Sequence, residues 1–158
     1  MQSTATQLPT PDVKPIVLFV DDEPRVLTSM RAMFRRTYQV RTAPGAQEAL
    51  AIMAAEPVEV VISDQRMPGM TGVEFLALLK VQYPNCMRIL LTGYADLEAV
   101  ESSINDGEVF RYLVKPCPPT ELKRVVKLAV AAIRSSTSTD RPTLAPAAPR
   151  VADVEFAV

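Results

Sequence analysis

The 158-residue chain has room for one ordinary domain with its own core. Its 17 basic and 18 acidic residues leave a net charge of −1, which gives no general electrostatic grip on nucleic acid or on an anionic membrane. Histidine is absent, so imidazole acid-base catalysis, His-ligated zinc and an internal histidine phosphodonor are excluded together.

Residues 1–14 hold Pro9 and Pro11 among polar side chains, lack the basic and apolar stretches of a signal peptide, and read as a flexible lead. "IVLFV" (Ile16–Val20) follows as a strand. Pro24 to Arg36 reads as a helix, with Val26, Leu27, Met30, Met33 and Phe34 at helical spacing and Pro24 suited to its first turn. "YQVRTA" is a short strand, and Ala46 to Ala55 is a helix begun after Gly45 and halted before Pro57. "VEVVIS" is the third strand, Gly72 to Val81 a helix showing Phe75, Leu76, Leu78 and Leu79, and "MRILLT" the fourth strand. Asp96 to Asn105 reads as a helix with Leu97, Val100 and Ile104 on one face, and "VFRYLV" as the fifth strand. Thr120 to Arg134 is the last helix, with Thr120 as its N-cap and Leu122, Val125, Val126, Ala129, Val130 and Ile133 on the buried stripe. Residues 135–158 are rich in Pro, Ala and Ser, with too little bulky apolar content to repay the entropy of ordering. The domain is therefore expected over residues 15–134, followed by a disordered tail.

Five strands alternating with five helices imply an α/β domain built on one parallel sheet covered on both faces. The continuous hydrophobicity of "IVLFV", "VVI" and "ILL" marks central strands. No apolar run approaches the roughly 20 residues that span a bilayer, and Cys86 and Cys117 read as free thiols, so the cytoplasm is the expected compartment.

The residues that close the apolar runs carry the chemistry. The first strand ends in Asp21, Asp22 and Glu23, the third in Asp64, the fourth in Thr92 and the fifth in Lys115 followed by Pro116. In such sheets ligands collect beyond the carboxyl ends of the strands, where the strand order reverses. Carboxylates crowded there repel unless a cation sits among them, and an all-oxygen site favours a hard ion, Mg²⁺ being the usual choice. A carboxylate, a hard cation, a hydroxyl and an ammonium describe a phosphoryl-transfer site, with Asp64 as nucleophile. Each element alone has a blander reading: a strand-end aspartate as a loop starter, "DDE" as acidic residues favouring a helix N-terminus, Lys115 as a solvated charge, Thr92 as turn chemistry. Four strands placing matching chemistry at one edge favour the functional reading.

The strings "LFVDDEP", "VISDQRMPGMTGVEFL", "ILLTGYAD" and "RYLVKPC" resemble the receiver domains of bacterial two-component response regulators. The resemblance covers about Ile16 to Ile133. It implies a doubly wound five-stranded parallel sheet of order 2-1-3-4-5 with five helices, the flavodoxin-like fold of single-domain chemotaxis regulators. It makes Asp64 the phosphoacceptor, Asp22 a direct Mg²⁺ ligand, Asp21 an acidic partner acting through water, and the Arg66 backbone carbonyl a further metal contact. Thr92 and Lys115 would take the phosphoryl oxygens, Thr92 also serving as the switch hydroxyl. Tyr112 would be the aromatic that swings inward as Thr92 moves, whereas its bland reading is a core aromatic. The Lys115–Pro116 bond is expected to be cis.

The implied partners are a histidine kinase or a histidine phosphotransfer protein as donor, and an unidentified protein target. That target is met by the face of the fourth helix, fifth strand and last helix, with a phosphorylation-dependent homodimer as a further possibility and no direct nucleic-acid contact. Such a protein is not an enzyme in the usual sense, since it catalyses only its own phosphorylation and dephosphorylation. Arg66 and Tyr94 stand where the family tunes acyl phosphate hydrolysis, and their bulk and charge imply a moderately long-lived phosphoryl state. Residues 135–158 are too few for an independent output domain, so the sequence reads as a single-domain regulator. A flavodoxin-like electron carrier fits poorly, because "DDEP" puts negative charge where a flavin phosphate would sit. An aspartyl phosphatase would carry a second aspartate two residues after Asp64, where Arg66 stands. The stronger alternative is a phosphorylation-independent interaction or dimerisation module.

Overall fold

Strand β1 (Ile16–Val20) is buried over all but its first residue, because it lies inside a sheet covered on both sides. A computed structural model describes residues 13–98, 100–101 and 109–136. The chain continues through α1 (Pro24–Phe34), β2 (Gln39–Ala43), α2 (Ala46–Ala55), β3 (Val60–Asp64), α3 (Gly72–Gln82), β4 (Met87–Thr92), a 3₁₀ turn (Tyr94–Asp96), β5 (Arg111–Val114) and a last helix (Pro119–Ser136). All strand pairs are parallel, and the order is β2-β1-β3-β4-β5.

Successive strand residues point to opposite faces, so each strand feeds two cores. Leu18, Val20, Val61, Leu90, Tyr112 and Val114 pack with α2 and α3 through Met53, Phe75, Leu76 and Leu79. Val17, Phe19, Ile62, Ile89, Leu91 and Leu113 pack on the other side with Phe34 of α1 and with Leu122, Val125, Val126, Ala129 and Val130 of the last helix. Phe34 stacks at a tilt between Phe19 and Tyr38, with ring centroids 5.0 and 6.0 Å away. Burial on both faces is what the continuous apolar runs of the central strands require.

Some boundaries differ from the sequence reading. The last helix starts at Pro119, so Thr120 is a helical residue and not the N-cap. Proline suits a first helical position because its missing N–H would be unpaired there. The Pro118 carbonyl accepts instead from the N–H groups of Glu121 and Leu122. Strand β3 extends to Asp64 itself, β5 begins only at Arg111, and α1 stops at Phe34. Of the predicted fourth helix, Asp96 belongs to the 3₁₀ turn, residues 97, 98, 100 and 101 are helical, and residues 99 and 102–105 lie outside the described residues. Cys86 and Cys117 are free thiols, and burial pushes the Cys86 thiol up to about 12, which keeps it neutral and unreactive. Among the described residues no helix is long and apolar enough to cross a membrane.

Candidate functional site

Register brings the strand ends level. Val20 lies beside Ser63, Asp64 beside Leu91 and Thr92 beside Val114. The ladder runs one step further through Asp21 N–H to Ala43 O, Gln65 N–H to Leu91 O and Lys115 N–H to Thr92 O, at 2.8 to 3.1 Å. Asp21, Asp64, Thr92 and Lys115 therefore emerge at one edge of the sheet, and the Lys115–Pro116 peptide bond is cis.

Lys115 Nζ sits 2.7 Å from Asp64 Oδ1 and 3.8 Å from Asp21 Oδ2. Asp64 Oδ1 also accepts from the Gln65 N–H at 2.9 Å. Asp21 Oδ1 accepts from the Glu23 N–H at 2.9 Å, while Oδ2 is buried with no hydrogen-bond partner. One carboxylate oxygen each from Asp21, Asp22 and Asp64 lie within 4.8 Å of one another. A buried carboxylate oxygen left unbonded, grouped with two further carboxylates and, among the described residues, with no nitrogen or sulfur ligand, fits a hard divalent cation such as Mg²⁺.

Burial, chiefly, raises the Asp21 carboxyl above its ordinary 3.8; the Glu23 N–H pulls it back, Asp64 pushes it up, Lys115 pulls it down and Asp22 pushes it up again. A carboxyl raised by folding costs stability once it ionises, so stability is lost as pH climbs from the ordinary value through the raised one. In chelator at neutral pH, Asp21→Asn should therefore be more stable than wild type by about 1 kcal/mol, read by urea unfolding. The advantage should fade in acid and vanish below 3.8, where both proteins are neutral at this position. A variant less stable than wild type at neutral pH would contradict this account.

Thr92 is fully buried, and its hydroxyl donates to the Gly93 carbonyl over a long 3.3 Å. Tyr112 is only 6 % exposed, with its ring packed into the α2 and α3 side of the core. Tyr94 is 58 % exposed at the head of the 3₁₀ turn. The Arg66 guanidinium pairs with Asp96: its Nε and Nη2 donate to that carboxylate at 2.8 and 3.2 Å.

Two features of the β3–α3 connection escaped the sequence reading. Thr71 and Glu74 form a reciprocal capping box, with Glu74 N–H to Thr71 Oγ1 at 3.3 Å and Thr71 N–H to Glu74 Oε2 at 3.1 Å. The pattern Thr-x-x-Glu ahead of an apolar run was the signal for it. Gln65, 8 % exposed, ties the same helix to the site: its carbonyl accepts from Gly72 N–H, and its side-chain Oε1 from Val73 N–H, each at 2.9 Å. Nothing local in the sequence announces that role. Between these anchors Gly69 adopts φ +84°, which a residue bearing a side chain would resist.

Residues 17–127 match the model of the response regulator receiver domain. The chain is 39 % identical over 121 residues to the hydrogenase transcriptional regulatory protein HoxA of Cupriavidus necator, covering 77 % of this chain and 25 % of that protein. It is 30 % identical to sporulation initiation phosphotransferase F of Bacillus subtilis, covering 70 % of this chain and 90 % of that one. The signal receiver domain of an HD domain-containing protein from Pseudomonas fluorescens Pf-5 superposes with a TM-score of 0.76 at 33 % identity, over 85 % of this chain and 99 % of that one. The chain thus spans about a quarter of the length of the HoxA relative and nearly all of the phosphotransferase. With the sheet order, the acidic cluster and the matched span in agreement, the chain belongs to the response regulator receiver family.

Proposed function

We propose that this receiver domain is a phosphoacceptor in two-component signalling, taking a phosphoryl group on Asp64 from a histidine kinase or a histidine phosphotransfer protein. Its working unit is residues 15–134, the last helix running two residues further, to Ser136. The observation that most directly supports this reading is the Lys115 ammonium 2.7 Å from Asp64 Oδ1, beside the Asp21 and Asp22 carboxylates. With Oδ1 held by Lys115 and the Gln65 N–H, Oδ2 is the oxygen we assign to in-line attack on phosphorus. The Asp64 O–P bond forms as the donor's P–N bond breaks, or the P–O bond of acetyl phosphate, and the leaving group departs with the bonding pair.

Lys115 faces the negative charge of the transferred group. The long bond from Thr92 to Gly93 O is readily exchanged for one to a phosphoryl oxygen. Mg²⁺, held by Asp21, Asp22, Asp64 and the Arg66 carbonyl, would supply the positive charge that the three carboxylates lack. Movement of Thr92 and Tyr112 then shifts the population presented to a protein target at β5 and the helices beside it, or the phosphoryl group passes onward.

Intact mass after incubation with acetyl phosphate tests the reading. A gain of one phosphoryl group is expected only with Mg²⁺, on the peptide that holds Asp64. No gain from acetyl phosphate or from a cognate kinase would overturn it. A phosphorylation-independent interaction module would then lead, and the already buried Tyr112 ring is the observation that favours it.

A further inference from the structure

A cleft of about 380 Å³ opens beside the acidic cluster, bounded by Asp22, Arg66, Met67, Pro68 and Asp96. Its two rims belong to different loops: Arg66 to the one that leaves β3, Asp96 to the one that leaves β4. They are joined by two hydrogen bonds from one guanidinium to one carboxylate, at 2.8 and 3.2 Å. Resting on the phosphoacceptor reading above, we propose that Arg66 and Asp96 form a charge latch across the mouth of this cleft, opened when a phosphoryl group on Asp64 draws the guanidinium away from Asp96.

Three observations carry the latch. The first is proximity: Arg66 follows Asp64 by two residues, and it lines the same cleft as Asp22 and as Asp96, the carboxylate with which it pairs. The second is weakness. The Arg66 side chain is 73 % exposed in the pair, and ion pairs so open to water are readily exchanged. A phosphoryl group brings more charge than a carboxylate and three acceptor oxygens, and the planar guanidinium matches it with paired donors. The third is position. Asp96 ends a single 3₁₀ turn, closed by its own N–H to the Gly93 carbonyl at 3.1 Å, directly between Thr92 and the helical residues 97, 98, 100 and 101. Withdrawing the guanidinium removes a tie on that turn. Charge arriving on β3 thus reaches the segment after β4 along a route separate from the Thr92 hydroxyl.

A latch of this kind makes Asp96 a competitor for Arg66, and competition has a signature in paired variants. The full chain is titrated with beryllium fluoride, a phosphoryl mimic, in Mg²⁺; as there is no tryptophan, binding is read by calorimetry. Asp96→Ala should tighten binding by about threefold and Arg66→Ala weaken it by a similar factor, the scale set by exposed ion pairs. In the Arg66→Ala background Asp96→Ala should change nothing, because Asp96 acts only through Arg66. Equal tightening in both backgrounds would be the effect of removing any negative charge near an anion and would overturn the latch, as would an unchanged affinity in Asp96→Ala alone. A wild-type protein that binds no beryllium fluoride would overturn the phosphoacceptor reading, and the latch with it.

Discussion

Asp64→Asn should gain no phosphoryl group from acetyl phosphate in Mg²⁺ while keeping its fold. The asparagine has the aspartate's shape and an oxygen that can accept from the Gln65 N–H, as Asp64 Oδ1 does at 2.9 Å. It lacks the negative charge and the nucleophilic oxygen pair, so the acyl phosphate has no atom on which to form. Stability should move little, because the substitution trades two effects. It removes the Asp64 repulsion that pushes up the Asp21 carboxyl, and it removes the partner that holds Lys115 at 2.7 Å. Lys115 then keeps Asp21 as its ion-pair partner in this cluster, at 3.8 Å. Intact mass and urea unfolding of the same preparation check both halves. Label remaining on the asparagine variant would place the chemistry on another residue, and the assignment of Asp64 would fall.

Gly72→Ala should produce the largest loss of stability, about 3 kcal/mol, at the upper end for adding a methyl group to a close-packed core. A Cβ at Gly72 would overlap the Asp64 carbonyl oxygen and would lie 2.8 Å from Leu90 Cδ1. Neither obstacle yields easily. The Asp64 carbonyl is part of a fully buried strand and accepts from the Ser63 hydroxyl at 2.9 Å, while Leu90 is itself fully buried. The only relief is for α3 to move off the sheet, which would stretch the 2.9 Å bonds from Gly72 and Val73 to Gln65. Gly93→Ala is the matched control, since a Cβ there meets nothing within 4 Å. It should stay within about 0.5 kcal/mol of wild type. Urea unfolding of the three proteins checks the ranking, and a Gly72→Ala variant as stable as Gly93→Ala would refute the packing argument.

Gly72 also illustrates what was legible in the sequence. Its place at the start of a helix followed from the apolar spacing of Phe75, Leu76 and Leu79, but its intolerance of a side chain depends on a strand carbonyl from a different element. The same division runs through the site. Four of the candidate side chains close an apolar run, so a strand reading alone put Asp21, Asp64, Thr92 and Lys115 at one edge. The order of the strands came from resemblance, because periodicity is blind to which strand lies beside which. The Arg66–Asp96 pair joins residues 30 apart in sequence, and the Gln65 side chain serves a helix that starts seven residues later. Neither has a local pattern to betray it. The Thr120 cap failed for a different reason: threonine is a favoured cap, but Pro119 ahead of it is better suited to open the helix, and the boundary moved by one residue.

The doubled attachment of Gln65 to the start of α3 has a consequence for how this protein can change over time. Both ends of the 65–71 connection are anchored at one residue, through Gln65 O to Gly72 N–H and Gln65 Oε1 to Val73 N–H. Arg66 and Pro68 lie exposed on a bracket whose footing is independent of their side chains, whereas Met67 between them is buried in the core. Substitutions at its crest can alter what the cleft admits, and for how long, without disturbing the carboxylates beneath. On the phosphoacceptor reading proposed above, timing can diverge among descendants of such a chain while the underlying chemistry stays fixed.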